Sequence, residues 1–207
     1  MFGLTLEELS LLRRLNTPRK VQDYLDELPI NFEPEGDTCL SPRRVMREKR
    51  AHCIEGAMLA ALAFRLHDKP PLILDLTSSF HDLDHVVAPF KQHGAWGAVS
   101  KTNHAVLRYR EPIYRTIREL VLSYFHEYFD AKGFKTLRSY SAPVNLSRFD
   151  RENWMTSDEN AWCVAQHLVD VRHIPLLSRA QIATLRRAHP LEIQAGEIVE
   201  WKEPRAA

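Results

Sequence analysis

The chain has 207 residues, 44% of them hydrophobic and 27% charged, which is the balance of an ordinary globular protein with room for one sizeable core. The formal net charge of +1 gives little long-range attraction to nucleic acid or anionic lipid, so we expect neither as a partner. No apolar run approaches the roughly 18 to 20 residues that span a bilayer, and the first residues lack the pattern of a signal peptide.

Helix-start signals mark the N-terminal quarter of the chain. Thr5 with Glu8 forms a capping box, and residues 17–18 and 41–42 each place an N-cap side chain before a proline. We therefore predict three helices, with an extended connection from about residue 28 to residue 40 before the third.

Residues 54–66 predict a helix of a different kind. They are apolar on nearly every face, which is typical of a helix in the centre of a fold. Cys53 stands at the first turn of this predicted central helix. Its neighbour His52 has two interpretations, since it could lower the thiol pKa as a cation or cap the preceding helix as a neutral side chain.

After residue 66 the apolar residues follow the pattern of β-strands and no longer that of a helix. Residues 72–76, 84–90 and 95–100 predict three strands, the last two joined by a hairpin turn at 91–94. Beyond them we predict a helix over about 112–129, a loop or strand near 136–140, and helices after Ser157, near Ser178 and near Pro190. This order predicts an α+β fold, with a single domain over 1–207, its core at 41–130 and a mainly helical extension at 140–207.

Cys53 and His85 are the residues most suited to chemistry. A nucleophilic cysteine needs a lowered pKa, which a helix N-terminus favours, and a base within reach. Cys53 meets the first condition if the central helix begins there. His85 meets the second if its strand lies beside that helix terminus. The alternative is that Cys53 is a small buried hydrophobic residue, as most free cysteines are.

The segment from about residue 43 to 110 resembles the transglutaminase-like superfamily of papain-like cysteine hydrolases, as a divergent bacterial-type member. The resemblance rests on the cysteine that opens the central helix, on Glu55 and Ala57 behind it, on the strand carrying His85, and on the following strand with Trp96. It implies an α+β fold with the central helix packed on a small antiparallel sheet. It also implies a Cys53–His85 pair.

The family's third residue, an aspartate that orients the histidine, would fall at Ser100. A neutral hydroxyl can fix the imidazole tautomer weakly but cannot stabilise the imidazolium. Asn103, three residues later, could take the orienting part, and Asp84 is a third candidate to approach the ring. The sequence therefore leaves open whether catalysis is retained or whether the fold is an inactive binding module.

The run from His81 to His85 is rich in metal-ligand residue types and offers a second alternative, a metal-dependent hydrolase. In an extended strand, however, His81 and His85 would face one side while Asp82 and Asp84 face the other, which splits the ligand set.

The leading hypothesis is a cysteine-dependent hydrolase or acyl transferase that forms a thioester from an amide or peptide. Cys53 would attack, His85 would act as base and acid, and Asn103 or Ser100 would hold the imidazole ring. We expect no cofactor and a small peptide or amide as substrate. The three cysteines have no CxxC spacing, so we expect no disulfide framework and a cytoplasmic location.

Overall fold

The computed structural model describes residues 2–202 and confirms the predicted α+β class. The α-helices are α1 (Leu6–Arg14), α2 (Pro18–Asp26), α3 (Pro42–Glu48), α4 (Cys53–Leu66), α5 (Ile117–Phe125), α6 (Trp162–Asp170), α7 (Arg179–Ala183) and α8 (Pro190–Gly196). The strands are β1 (Leu72–Thr77), β2 (His85–Gln92), β3 (Ala95–Ser100), β4 (Arg110–Tyr114), β5 (Ser139–Ser141), β6 (Val144–Asn145) and β7 (His173–Pro175). A 3-10 helix spans Leu146–Glu152.

The three N-terminal helices begin where their capping signals predicted. The side chains of Thr5, Thr17 and Ser41 each accept a hydrogen bond from a backbone N–H in the first turn of α1, α2 and α3. These bonds satisfy backbone donors that have no partner inside a helix. Local capping chemistry is therefore sufficient to fix all three helix starts.

The strands form one antiparallel sheet in the order β4-β3-β2-β1-β5-β7, and the short β6 also pairs with β1. The predicted hairpin between β2 and β3 is confirmed, with Gln92 opposite Ala95. His93 and Gly94 form its two-residue turn, both with positive φ (50° and 81°), the backbone twist that short antiparallel hairpins favour.

Helix α4 packs against β2, and Cys53 at its start interacts with His85 at the start of that strand. The ring centroids of Phe64, near the end of α4, and of Phe90, in the second half of β2, are 5.7 Å apart. From Phe64 back to Cys53 is about 16 Å of helix at 1.5 Å per residue, and from Phe90 back to His85 is about 16 Å of strand at 3.3 Å per residue. Equal lengths from a common contact bring Cys53 to the level of His85.

Two apolar clusters cover the two faces of the sheet. One joins α4 with Val86, Ala88 and Phe90 of β2, together with α1 to α3 and α6. The other joins Val87 with α5 and the segments around β5. The eleven residues of α4 from Ile54 to Phe64 are all buried. This is the burial that the all-round apolar pattern predicted for that helix.

The close approach of α4 to its neighbours depends on Gly56. A Cβ at this position would lie 2.6 Å from the Cβ of Lys101. The Lys101 stem crosses the first turn of α4, and its ammonium group donates hydrogen bonds to the Leu25 and Leu28 carbonyls at the end of α2. The start of α4 is thereby held against both α2 and the end of β3.

The predicted helix over 112–129 was wrong at its beginning. Residues 110–114 form β4, which pairs with β3, and α5 begins only at Ile117 behind the N-cap Thr116. Apolar residues of β4 and α5 follow one another closely in the sequence. Their spacing therefore does not separate the strand from the helix. The C-terminal part of the chain contains β5, β6 and β7 as well as helices, and β5 and β7 extend the sheet.

Candidate functional site

Cys53 is the first residue of α4; the residue as a whole is partly exposed, while its thiol lies buried. The backbone before it is extended at His52, whose N–H donates to the Glu55 carboxylate at 2.9 Å. This bond is one half of a capping arrangement and fixes the entry of the chain into the helix. The thiol is therefore presented at the positive end of the helix dipole, where a thiolate is stabilised.

His85 is the first residue of β2 and is 7% exposed. The segment before it is held by the Tyr128 hydroxyl, which donates to the Leu83 carbonyl at 2.6 Å. The ring Nε2 of His85 lies 2.8 Å from the Ser100 Oγ. The histidine ring therefore contacts the residue where the resemblance implied an aspartate.

The hydrogen bonds of Ser100 fix the tautomer of His85. Ser100 Oγ donates its one hydrogen to the Leu107 carbonyl, 2.6 Å away. It must therefore accept from His85, so Nε2 carries a hydrogen and Nδ1 is left as the ring nitrogen available to Cys53. Gln22 holds Ser100 in place, since its amide bonds both the N–H and the carbonyl of that residue at 2.9 and 2.8 Å.

The other two residues considered for the orienting role have different partners. The Asn103 side-chain amide forms two hydrogen bonds with the backbone of Trp201, both 2.9 Å. Asp84 is exposed and accepts from the Ser78 N–H at 2.7 Å. The structure thus brings together Cys53, His85 and Ser100, and it does not bring Asn103 or Asp84 to the ring.

His52, the residue before Cys53, faces two carboxylates. Its Nε2 is 3.1 Å from the Thr38 carbonyl oxygen and 3.3 Å from the nearest oxygens of Glu33 and Glu55. A carbonyl is only an acceptor, so Nε2 carries a hydrogen here as well. The ring nitrogen left for Cys53 is again Nδ1.

Glu55 is fully buried and organises the connection between α2 and α3. Its carboxylate accepts hydrogen bonds from the Asn31 amide, the Thr38 hydroxyl, the Leu40 N–H and the His52 N–H. This explains why an acidic residue stands two positions after the cysteine: it attaches the loop to the start of α4. The same loop carries Glu33 and Thr38 to His52.

The two imidazoles change the acidity of the thiol. Burial raises the pKa of Cys53, but hydrogen bonds with His52 and His85 and the positive charges of the two rings outweigh it and lower this pKa to about 5. For His52, burial lowers the pKa, while the bond to Cys53, the Cys53 and Glu55 charges and the Thr38 carbonyl raise it to about 9. Between these values a thiolate and an imidazolium coexist.

The run His81–His85 is dispersed in space. Asp82 and Asp84 bond Thr136 and the Ser78 backbone, while His81 is exposed and His85 faces Ser100. Among residues 2–202, no group of three or more His, Cys, Asp or Glu side chains is arranged to hold a metal ion. The histidines and aspartates of this segment therefore have other roles in the fold. The aspartates form hydrogen bonds with neighbouring segments, and His85 contacts Ser100.

Sequence reasoning missed Leu107, Glu33 and Thr38. Leu107 contributes only its carbonyl, from a backbone in the left-handed region (φ 60°), and no side-chain pattern reports such a contact. Glu33 and Thr38 lie in the connection between α2 and α3, which had no periodic pattern. The signal that could have found them is the buried Glu55, since a carboxylate inside a fold requires donors from a neighbouring loop.

No protein-family model matches the chain, and no curated protein matches it significantly. Within the described residues, no helix is long and apolar enough to cross a membrane.

Proposed function

We propose that the protein is a cysteine-dependent hydrolase or acyl transferase that cleaves an amide through a thioester on Cys53. The observation that carries the proposal is the His85–Ser100–Leu107 chain of hydrogen bonds. It fixes the tautomer in which Nδ1 of His85 can exchange a proton with the thiol. A transglutaminase-like fold with a neutral residue at position 100 can use this carbonyl as the final acceptor in place of a carboxylate.

In the first half of the reaction, the Cys53 thiolate attacks the amide carbonyl carbon. The oxyanion that forms can accept from the Cys53 backbone N–H at the helix N-terminus. His85 then donates its Nδ1 proton to the departing nitrogen, the C–N bond breaks, and the amine leaves. The acyl group remains on sulfur as a thioester, and His85 is neutral.

In the second half, neutral His85 removes a proton from the acceptor, which attacks the thioester. Water as acceptor releases a carboxylic acid and regenerates the thiolate and the imidazolium. An amine as acceptor gives a new amide and makes the protein a transferase. The partial exposure of residue Cys53 suits a small peptide or amide, and three free cysteines are in keeping with a reducing, cytoplasmic location.

The experiment uses p-nitrophenyl acetate, a general acyl donor that reports acylation by the release of nitrophenolate. We expect a burst of nitrophenolate, one acetyl group mapped to Cys53 by mass spectrometry, and slow continued turnover. Cys53→Ala should abolish the burst, whereas Cys163→Ala, which removes a partly buried thiol elsewhere, should leave it unchanged. Acetylation of Cys53 without any turnover, or no acetylation at all, would contradict catalysis and favour an inactive binding module.

A further inference from the structure

His52 is a group that the reaction steps above do not use, and its surroundings differ from those of His85. The ring of His85 meets a neutral hydroxyl at Nε2, whereas the ring of His52 meets a carbonyl and two carboxylates. Both rings also act on the thiol of Cys53 and lower its pKa. Two imidazoles beside one thiol, one among anions and one among neutral groups, are suited to different tasks.

The buried carboxylate of Glu55 favours a cation beside it. This carboxylate is fully buried, and a buried charge is costly unless it is paired. Within residues 2–202, His52 is the one side chain that forms an ion pair with Glu55. Glu33, on the exposed side of the same imidazole, adds a second carboxylate at 3.3 Å. The carboxylates around His52 therefore favour an imidazolium, in addition to the contribution of Cys53 itself.

We propose that His52, held as an imidazolium by Glu33 and Glu55, is the permanent cation that keeps Cys53 as a thiolate, while His85 alone carries protons during turnover. The acid missing from position 100 is thus replaced by carboxylates acting through His52. This inference rests on the proposed function and assigns a second imidazole to it. His52 acts on the reacting thiol through its charge and transfers no proton.

The titratable groups around this pair come from every element packed there. They are Glu33 and Cys39 on the connection between α2 and α3, Glu55 on α4, His85 on β2 and Tyr128 after α5. Burial raises the pKa of Cys39 and of Tyr128, so both stay neutral near pH 7. The charges that change or balance the thiolate are therefore those of the two histidines and the two glutamates.

The test is the pH dependence of Cys53 alkylation by iodoacetamide in His52→Gln. Glutamine can still donate to the Thr38 carbonyl but carries no charge. We expect the midpoint to rise by at least about one pH unit from its value near pH 5, so that alkylation at pH 6 falls at least about two-fold, while the rate above pH 9 equals that of the unmodified protein. A purely structural role for His52 would instead lower reactivity at every pH. An unchanged midpoint in a folded variant would overturn the proposal.

A second variant keeps the proposal testable if His52→Gln fails to fold. Glu33→Gln removes one carboxylate from the partly exposed side of His52, and Glu35→Gln removes an exposed carboxylate two residues away as the matched control. We expect the Cys53 midpoint to rise in Glu33→Gln only. Equal midpoints in both variants would overturn the proposal.

The deacetylation step separates this inference from the proposed function. With p-nitrophenyl acetate at pH 9, His52→Gln should release acetate from Cys53 at the normal rate, because His85 is intact. His85→Ala should accumulate acetyl-Cys53. If the unmodified protein neither forms nor releases acetyl-Cys53, the proposed function fails. If it turns over normally and His52→Gln loses deacetylation as His85→Ala does, only the division of roles fails.

Discussion

Cys39 and Cys53 are two thiols close to the same buried carboxylate, Glu55, yet their acidities move in opposite directions. Cys39 is fully buried with its sulfur 3.5 Å from the Ala161 carbonyl, and burial together with the Glu55 charge raises its pKa. Cys53 stands at a helix N-terminus, where hydrogen bonding and charge from two imidazoles outweigh the effect of burial and lower its pKa to about 5. Position relative to the imidazoles, and not proximity to the carboxylate, decides which thiol can act as a nucleophile.

The same comparison shows what Glu55 contributes. Its carboxylate binds the N–H of Leu40, next to Cys39, and the N–H of His52, next to Cys53. It opposes ionisation of the first thiol directly. It supports ionisation of the second indirectly, because it favours the imidazolium of His52. One buried anion therefore keeps one cysteine inert and assists the other.

The largest effect is expected from His85→Ala. Removing the proton carrier should lower turnover of p-nitrophenyl acetate about 1000-fold, within the range typical of a lost general acid–base group. Cys53 should still be alkylated faster than Cys39 near pH 8, because His52 still acts on Cys53. His81→Ala, which removes an exposed histidine four residues earlier, is the control and should match the unmodified protein. Equal turnover in the two variants would contradict the role of His85.

Glu55→Gln should affect both thiols through the fold. An amide leaves several backbone and side-chain donors without an acceptor and removes the partner of His52, so we expect a loss of about 3 kcal/mol in the free energy of unfolding. Urea titration followed by circular dichroism measures it, with Glu35→Gln as control. A loss below about 0.5 kcal/mol would show that the network around Glu55 is not required for stability.

Ser100→Ala should reduce turnover about ten-fold, because the ring of His85 loses the acceptor that fixes its tautomer. Cys53 alkylation should change less, since His52 remains. Ser100→Asp should not turn over faster than the unmodified protein. The Leu107 carbonyl, 2.6 Å from the Ser100 Oγ, has no hydrogen to donate to a carboxylate at this position. Steady-state turnover of both variants is the measurement, and an aspartate variant more active than the unmodified protein would refute the role of Leu107.

The smallest effect is a pH dependence of stability. The pKa of His52 is raised from an unfolded value near 6.5 to about 9. The stability it contributes is therefore fully present below pH 6.5 and is lost as the pH rises through 9. The difference in unfolding free energy between the unmodified protein and His52→Gln should shrink from pH 6 to pH 9.5. A difference that grows over this range would contradict the assigned charge.

Much of the fold could be predicted because its signals are local. Capping residues fixed α1 to α3, the all-apolar pattern identified α4, and the His93–Gly94 turn set the β2–β3 hairpin. The strand at 110–114 was not predicted because its pairing with β3 is a long-range contact. Such a contact produces no alternating pattern in the sequence. Similarly, β7 has three residues, too short for an alternating pattern to emerge, whereas β5 overlaps the loop or strand predicted near 136–140.

The site was predictable as a set of residue types and not as a set of contacts. Cys53 and His85 could be selected because a helix start and a strand start were both visible in the sequence. The choice between Ser100 and Asn103 depended on where the chain goes after β3, and the backbone of Trp201, which takes both hydrogen bonds of Asn103, is 98 residues away. The carboxylates that face His52 could not be assigned before the loop at residues 28–40 was placed.

The most direct test of the central claim is the alkylation of all three cysteines in the unmodified protein by iodoacetamide from pH 4 to pH 10, resolved by peptide mapping. Burial raises the pKa of Cys163, so this thiol is an internal reference. We predict that Cys53 reacts with a midpoint near pH 5, Cys163 only in the alkaline range, and Cys39 not at all while the protein is folded. A Cys53 midpoint near pH 8.5, the value of an ordinary thiol, would contradict the account.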